Sequence, residues 1–307
     1  MKNLIILAIS VFILMACEDR IFPELPSANA PIVIDAWLYH TANEQTIKIL
    51  RSNSYFDDAP YAGISGASVK VTDITDNVTI YDFQESAPGI YTWIGLEKTD
   101  SFGIMNHEYR LDITLNDRSY TAYSMIRRVP KIDSITWRLE PANAFIDASY
   151  FGEFWSRDPF GPGDAYWIKS WKNGSLLSKP SEINIAYDAG FSSGGNADGL
   201  IFIQPIRDGM NPFDFDENGD FQAPYKLGDS AYVEINSITE EAFFFLQQVQ
   251  IQIDRPGGFG ELFATPLANI QSNVLSSDPK EKVVGFFCTS AVSGLGRKFT
   301  EDAIFED

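Results

Sequence analysis

Cys17 carries the clearest chemistry in this chain. It closes the run Leu14-Met15-Ala16-Cys17, behind one positive charge at Lys2 and an apolar stretch from Leu4 to Met15 broken only by Ser10. That stretch is shorter than the ~20 apolar residues of a membrane-spanning helix and has the layout of an export signal. A cysteine after a small residue at its end predicts a lipoprotein. Residues 1–16 are then a signal peptide, and Cys17 is the lipidation site through its thiol. Each lipid methylene adds roughly 0.8 kcal/mol of membrane affinity.

A second set is Asp214, Asp216, Asn218 and Asp220, with Gly219 among them. Hard oxygen ligands at alternate positions before a glycine copy the first half of a calcium loop. Tyr225 stands where the closing glutamate belongs. The same residues spell an acidic hairpin turn, because Asn-Gly is a strong turn signal. Calcium is the one cofactor the sequence raises. Phe154 and Trp155, in Phe154-Trp155-Ser156-Arg157-Asp158-Pro159, read as an exposed aromatic pair on a loop, suited to stacking on sugar rings. Trp167 and Trp171 alternate in a strand and read as packing residues.

Catalytic patterns are missing. Nucleophilic hydrolysis needs a base beside its nucleophile. The two histidines, His40 and His107, lie near no nucleophile motif, and Gly63-Ile64-Ser65-Gly66 is not a G-x-S-x-G elbow. No Cys/His spacing makes a zinc site. Gly257-Gly258-Phe259-Gly260 follows a helix instead of preceding one, the wrong order for phosphate binding. The chain therefore reads as non-enzymatic. A glycan-active enzyme is the alternative, and it requires close carboxylates in a cleft.

A net charge of −19 excludes nucleic acid, whose phosphates need Lys and Arg partners. With Cys17 acylated, Cys288 has no disulfide partner; in Val283 to Val292 it reads as a small buried hydrophobe.

The elements that must position these groups are mostly strands. Residues 17–31 contain three prolines and form a polar tether. Residues 32–128 show short alternating segments near 32–39, 46–50, 67–72, 78–83, 90–93, 107–116 and 120–126, separated by turn signals. That spacing predicts an immunoglobulin-like β-sandwich. Val129-Pro130-Lys131-Ile132 reads as a hinge into a second β-rich domain, 129–307. Its one α-helix is predicted near 238–253, with Ser237 as N-cap and Glu240 completing a capping box. Phe145–Gly163 and Ala186–Gln222 are long loop stretches, the expected contact surfaces. Deleting residues 190–222 is expected to abolish partner binding and leave the fold intact.

The ordered landmarks resemble one family. They include Ile32-Val33-Ile34-Asp35-Ala36-Trp37-Leu38, Pro88-Gly89-Ile90-Tyr91, Val129-Pro130-Lys131-Ile132-Asp133-Ser134-Ile135, Ser237-Ile238-Thr239-Glu240-Glu241-Ala242-Phe243 and Val284-Gly285-Phe286-Phe287. Together they are similar to the domain-of-unknown-function 4249 lipoproteins of Gram-negative outer membranes. Glu18 and Asp19 resemble the surface-export tag of some such lipoproteins. The resemblance implies an outer-membrane, lipid-anchored protein, facing the cell surface and often associated with a TonB-dependent transporter-like barrel. It carries no catalytic residues. Helping that barrel capture or gate its ligand is the expected role; the alternative is a structural or accessory subunit of a surface assembly or adhesin.

Overall fold

The computed structural model describes residues 30–305, apart from 54–56, 58, 77–78, 98, 143–146, 256, 265, 267 and 269. Cys17, the signal segment and most of the tether lie outside the described residues. The protein is mainly β.

Eight strands open the chain: β1 (Ile32–Tyr39), β2 (Gln45–Arg51), β3 (Ala62–Gly63), β4 (Ser68–Asp73), β5 (Ile80–Ala87), β6 (Ile90–Trp93), β7 (Glu108–Leu115) and β8 (Arg118–Met125). Strict alternation puts Ile32, Ile34, Ala36 and Leu38 of β1 inside, with Val69 and Val71 of β4 and Tyr109, Leu111 and Ile113 of β7. Strand β5 switches layers. Its first half pairs with β4 and its second half with β6, with a bulge between Glu85 and Ala87. The result is one nearly closed, folded-over sheet, in keeping with a sandwich.

The second half adds β9 (Ile132–Glu140), β10 (Ser149–Ser156), β11 (Ala165–Lys172), β12 (Ser175–Leu176), β13 (Asn184–Tyr187), α1 (Gln204–Arg207), β14 (Asp214–Phe215), β15 (Phe221–Gln222) and β16 (Ser230–Ile238). Then follow α2 (Glu240–Ile253), β17 (Leu275–Ser276), β18 (Val283–Ser290) and β19 (Val292–Lys298). Strands β11, β12, β13, β16 and β19 make a five-stranded sheet, and β9 pairs with β10 alone.

The expected boundary at 128/129 does not separate two continuous units. Strand β18 pairs in parallel with β1, from Ile32 opposite Val283 to Tyr39 opposite Ser290, and β17 pairs with β8. Strands β17 and β18 thus complete the first sheet, one at each end. Parallel pairing needs a long crossover and leaves no local turn signal, so this return was hidden from a linear reading.

Both faces of β1 are used. Its outward Trp37 meets Trp167 edge-on at 5.1 Å and stacks on Phe286 at 5.8 Å. Phe243 and Phe245 of α2 join the same cluster, whereas Phe244 is exposed. Cys288 is fully buried there, and burial pushes its thiol up to about 11. It is the inert apolar cysteine expected.

The helix begins later than expected. Thr239, not Ser237, is the N-cap; its hydroxyl accepts from the Ala242 N–H at 3.2 Å. Ser237 lies in β16, donating to the Arg127 carbonyl and accepting from the Ala291 N–H. Strand pairing across β16 claims Ser237 before a cap can form. Thr239→Ala is expected to cost about 1 kcal/mol, read as a lower urea midpoint at unchanged slope. A second, four-residue helix, α1, lies in the stretch read as loop.

Candidate binding site

Strand alternation makes the site. Phe151, Glu153 and Trp155 of β10 share one face with Thr136, Arg138 and Glu140 of β9. The opposite face sends Trp137 and Phe154 into the second core. Gly152 sits between Trp137 and the loop after α1. A Cβ there would lie 2.8 Å from Met210 Cε and 3.1 Å from Trp137 Nε1, so only glycine fits without a shift.

The segment 204–213 roofs this face. Asn211 pins it down, accepting the Gly152 N–H at 2.7 Å and donating to the Gly152 and Asp208 carbonyls. Arg138 is the hub beneath. Its Nε meets Glu140 at 2.7 Å, Nη1 meets Glu153 at 2.5 Å and Nη2 meets Asp208 at 3.2 Å. The second Glu153 oxygen takes Arg207 at 3.3 Å. The Arg207 guanidinium lies 4.2 Å from the Trp155 ring centroid, a cation–π contact.

Burial pushes Asp208 up to about 6; the Arg138 charge opposes this, and a hydrogen bond and like-charge repulsion from Glu153 add to it. Asp208 Oδ1 is buried without a hydrogen-bond partner. Beside this network opens a cavity of about 390 Å³, lined by Arg138, Glu140, Asp147, Phe151, Asp208 and Phe213, with Pro141 and Asn211. That size is within the range of small-molecule pockets.

A phenylalanine rim borders the cavity. Phe151 stacks on Phe221, and Phe213 contacts Phe215 and Phe221. Phe213 and Phe215 are each 56% exposed. Both long stretches singled out in the sequence therefore contribute: Asp147 and Phe151 from one, Asp208, Asn211 and Phe213 from the other.

The individual residues fared differently. Phe154 is fully buried against Phe202 and faces no ligand. Trp155 is on strand β10, not a loop; it is half-buried, bonded to Thr136 and covered by Arg207. Removal of 190–222 would delete Phe202, Ile206 and Met210, all fully buried, so the fold would not survive it.

Asp214, Asp216, Asn218 and Asp220 form the β14–β15 hairpin. Asp216 Oδ1 accepts the N–H groups of Asn218 and Asp220, which hold its carboxyl below the usual range, and Asp214 pairs with Lys179. Among the described residues, Asp214, Asp216 and Asp220 do not bring three carboxylate oxygens within 4.8 Å of one another. The loop satisfies itself as a turn, and its geometry does not carry the calcium reading.

Elsewhere Asp158, Asp188 and Asp198 do converge. They lash two loops together by accepting N–H groups of Gly199, Gly163 and Gly161, while Asp158 also takes the Tyr166 hydroxyl at 2.6 Å. Asp164 pairs with Arg128 at 2.5 Å, fastening the same loops to the hinge. Sequence reasoning missed Arg138, Glu140, Glu153 and Asp208. Their available signal was the alternation of Thr136, Arg138 and Glu140, but β10 was not recognised as its partner.

The fold and site define a class: a mainly β protein with an acidic, aromatic-rimmed cavity built on a strand pair. The chain belongs to the family described as Domain of unknown function (DUF4249), whose model matches residues 18–294. No curated protein matches it. Its similarity to the crystal structure of bovine butyrophilin has a TM-score of 0.20 at 9% identity, covering 66% of this chain and 92% of that one. Among the described residues no helix is long and apolar enough to cross a membrane.

Proposed function

We propose that this protein is a non-enzymatic, lipid-anchored outer-membrane surface protein that docks on a TonB-dependent transporter-like barrel and assists ligand capture or gating. Acylated Cys17 is its link to outer-membrane lipid. The observation that carries the capture role is the convergence of the two long stretches on one open cavity with exposed phenylalanines at its rim. A contiguous aromatic rim on a rigid frame is the usual anatomy of a contact surface.

The binding reading is favoured over glycan hydrolysis by the state of the carboxyls. Glu153 and Asp208 share one arginine, which ties both carboxylates into ion pairs. Retaining and inverting glycosidases hold theirs about 5 Å or more apart across the scissile bond.

Affinity purification of tagged full-length protein from mild-detergent outer membranes tests the docking. A stoichiometric barrel is the expected co-purifying partner. The pair Phe213→Ala and Phe215→Ala is expected to reduce the recovered barrel at least ten-fold, with little change in melting temperature because both rings are exposed. A different membrane assembly would favour the accessory role, and recovery alone after cross-linking would sink both.

A further inference from the structure

We propose that the cavity beside Arg138 is a site for a compact organic cation, an amine or guanidinium borne on an apolar body. The inference deepens the capture role by naming the ligand class. Three carboxylates line the cavity, from Glu140, Asp147 and Asp208, against the single guanidinium of Arg138. That guanidinium is already engaged: each of its three nitrogens faces a carboxylate, at 2.7, 2.5 and 3.2 Å. Its single positive charge is outnumbered by these partners, so the cavity presents excess negative charge and acceptor lone pairs. The walls are Phe151, Phe213 and Pro141, whose faces accept an apolar body and, for the rings, a cation beside it. An anionic ligand would meet repulsion, and a neutral one would leave the excess charge uncompensated.

The ionisable groups facing the cavity come from every wall. Arg138 and Glu140 are on β9, Asp147 precedes β10, and Asp208 follows α1; Glu153 on β10 and Arg207 on α1 stand behind them. Burial raises the Asp208 carboxyl to about 6. Cation binding is therefore expected to weaken as the pH falls through 6, because protonation of Asp208 removes one of the attracting charges.

The cation has two sources, a free amine or the basic side chain of a peptide. Calorimetric titration of the full chain in detergent separates them. The probes are phenethylamine and a capped Phe-Arg dipeptide; their neutral counterparts are phenethyl alcohol and capped Phe-citrulline. The expected result is saturable 1:1 binding of at least one cationic probe, at least ten-fold tighter than its counterpart. Asp208→Asn and Glu140→Gln should each weaken that binding at least five-fold, with melting curves confirming the fold. Glu140 is exposed enough that Glu140→Gln keeps the test valid if Asp208→Asn unfolds. Binding of the amine alone assigns a small-molecule ligand, and of the dipeptide alone a peptide. Absence of binding by both, equal binding of the neutral counterparts, or indifference to both substitutions overturns the proposal. Barrel co-purification by the Glu140→Gln protein is scored separately, so failure of the cation site and failure of docking give different results.

Discussion

Gly285→Ala is expected to destabilise this protein by at least ~3 kcal/mol. Gly285 sits in β18 at φ +96°, where a side chain is strained. The added Cβ would lie 2.1 Å from the Ile34 carbonyl oxygen across the β1–β18 pairing, and that oxygen belongs to backbone with no rotamer to yield. The strand must move away. Its departure would uncover Phe286, Phe287 and Cys288, which together join two of the three cores. Gly219→Ala is the control. It has nearly the same backbone strain, φ +86°, but open space around the Cβ position. Urea denaturation should show a small loss for Gly219→Ala and a severe one for Gly285→Ala. Amide exchange should place the new opening in residues 283–290. Equal losses in the two variants would mean that the close approach at Ile34 is not a constraint.

The same strand explains what the sequence could and could not reveal. Residues 32–39 were recognisable because alternation and β-branching are local signals, and β1 spans those residues. That β18 returns to pair with β1 is a long-range fact. An apolar run from Val283 onward suits a strand in either sheet, and no turn chemistry records its neighbour. The helix was legible from its apolar stripe, but its start was not. Ser237 and Thr239 both have capping chemistry, and only the extension of β16 to Ile238 decides between them.

The site was half legible for a related reason. The two long stretches were conspicuous for their turn residues, and both reach the cavity. Its charged hub was not visible, because Arg138, Glu153 and Asp208 are far apart in sequence and individually resemble ordinary surface charges. Phe154 and Trp155 misled because Gly and Pro around them suggested a loop. Strand β10 has a broken burial pattern, with Gly152, Glu153 and Phe154 buried consecutively beneath the 204–213 roof. Alternation therefore could not announce it.

That hub yields the second large effect. Arg138→Met is expected to cost about 3 kcal/mol at pH 7.5, because it leaves partly buried carboxylates without their common cation. Glu140 is well exposed, so its pair contributes little. Glu153 is the costly partner, since its side chain is only 8% exposed and retains just Arg207. Asp208 sets the pH dependence. Its folded-state pKa of about 6 lies above the unfolded value near 3.9, so folding favours the protonated form. Its contribution to stability is full below the unfolded value and is lost as the pH rises through about 6. Without Arg138, the positive charge that holds Asp208 down is gone, and its folded pKa climbs further. The penalty of Arg138→Met should therefore shrink between pH 7.5 and pH 5.0 in urea melts. Adding Glu153→Gln and Asp208→Asn should recover much of the loss at pH 7.5, because neutral amides no longer require a cation. A penalty that stays constant across this range, and persists in the triple variant, would show that Arg138 acts through the packing of its stem and not through its charge.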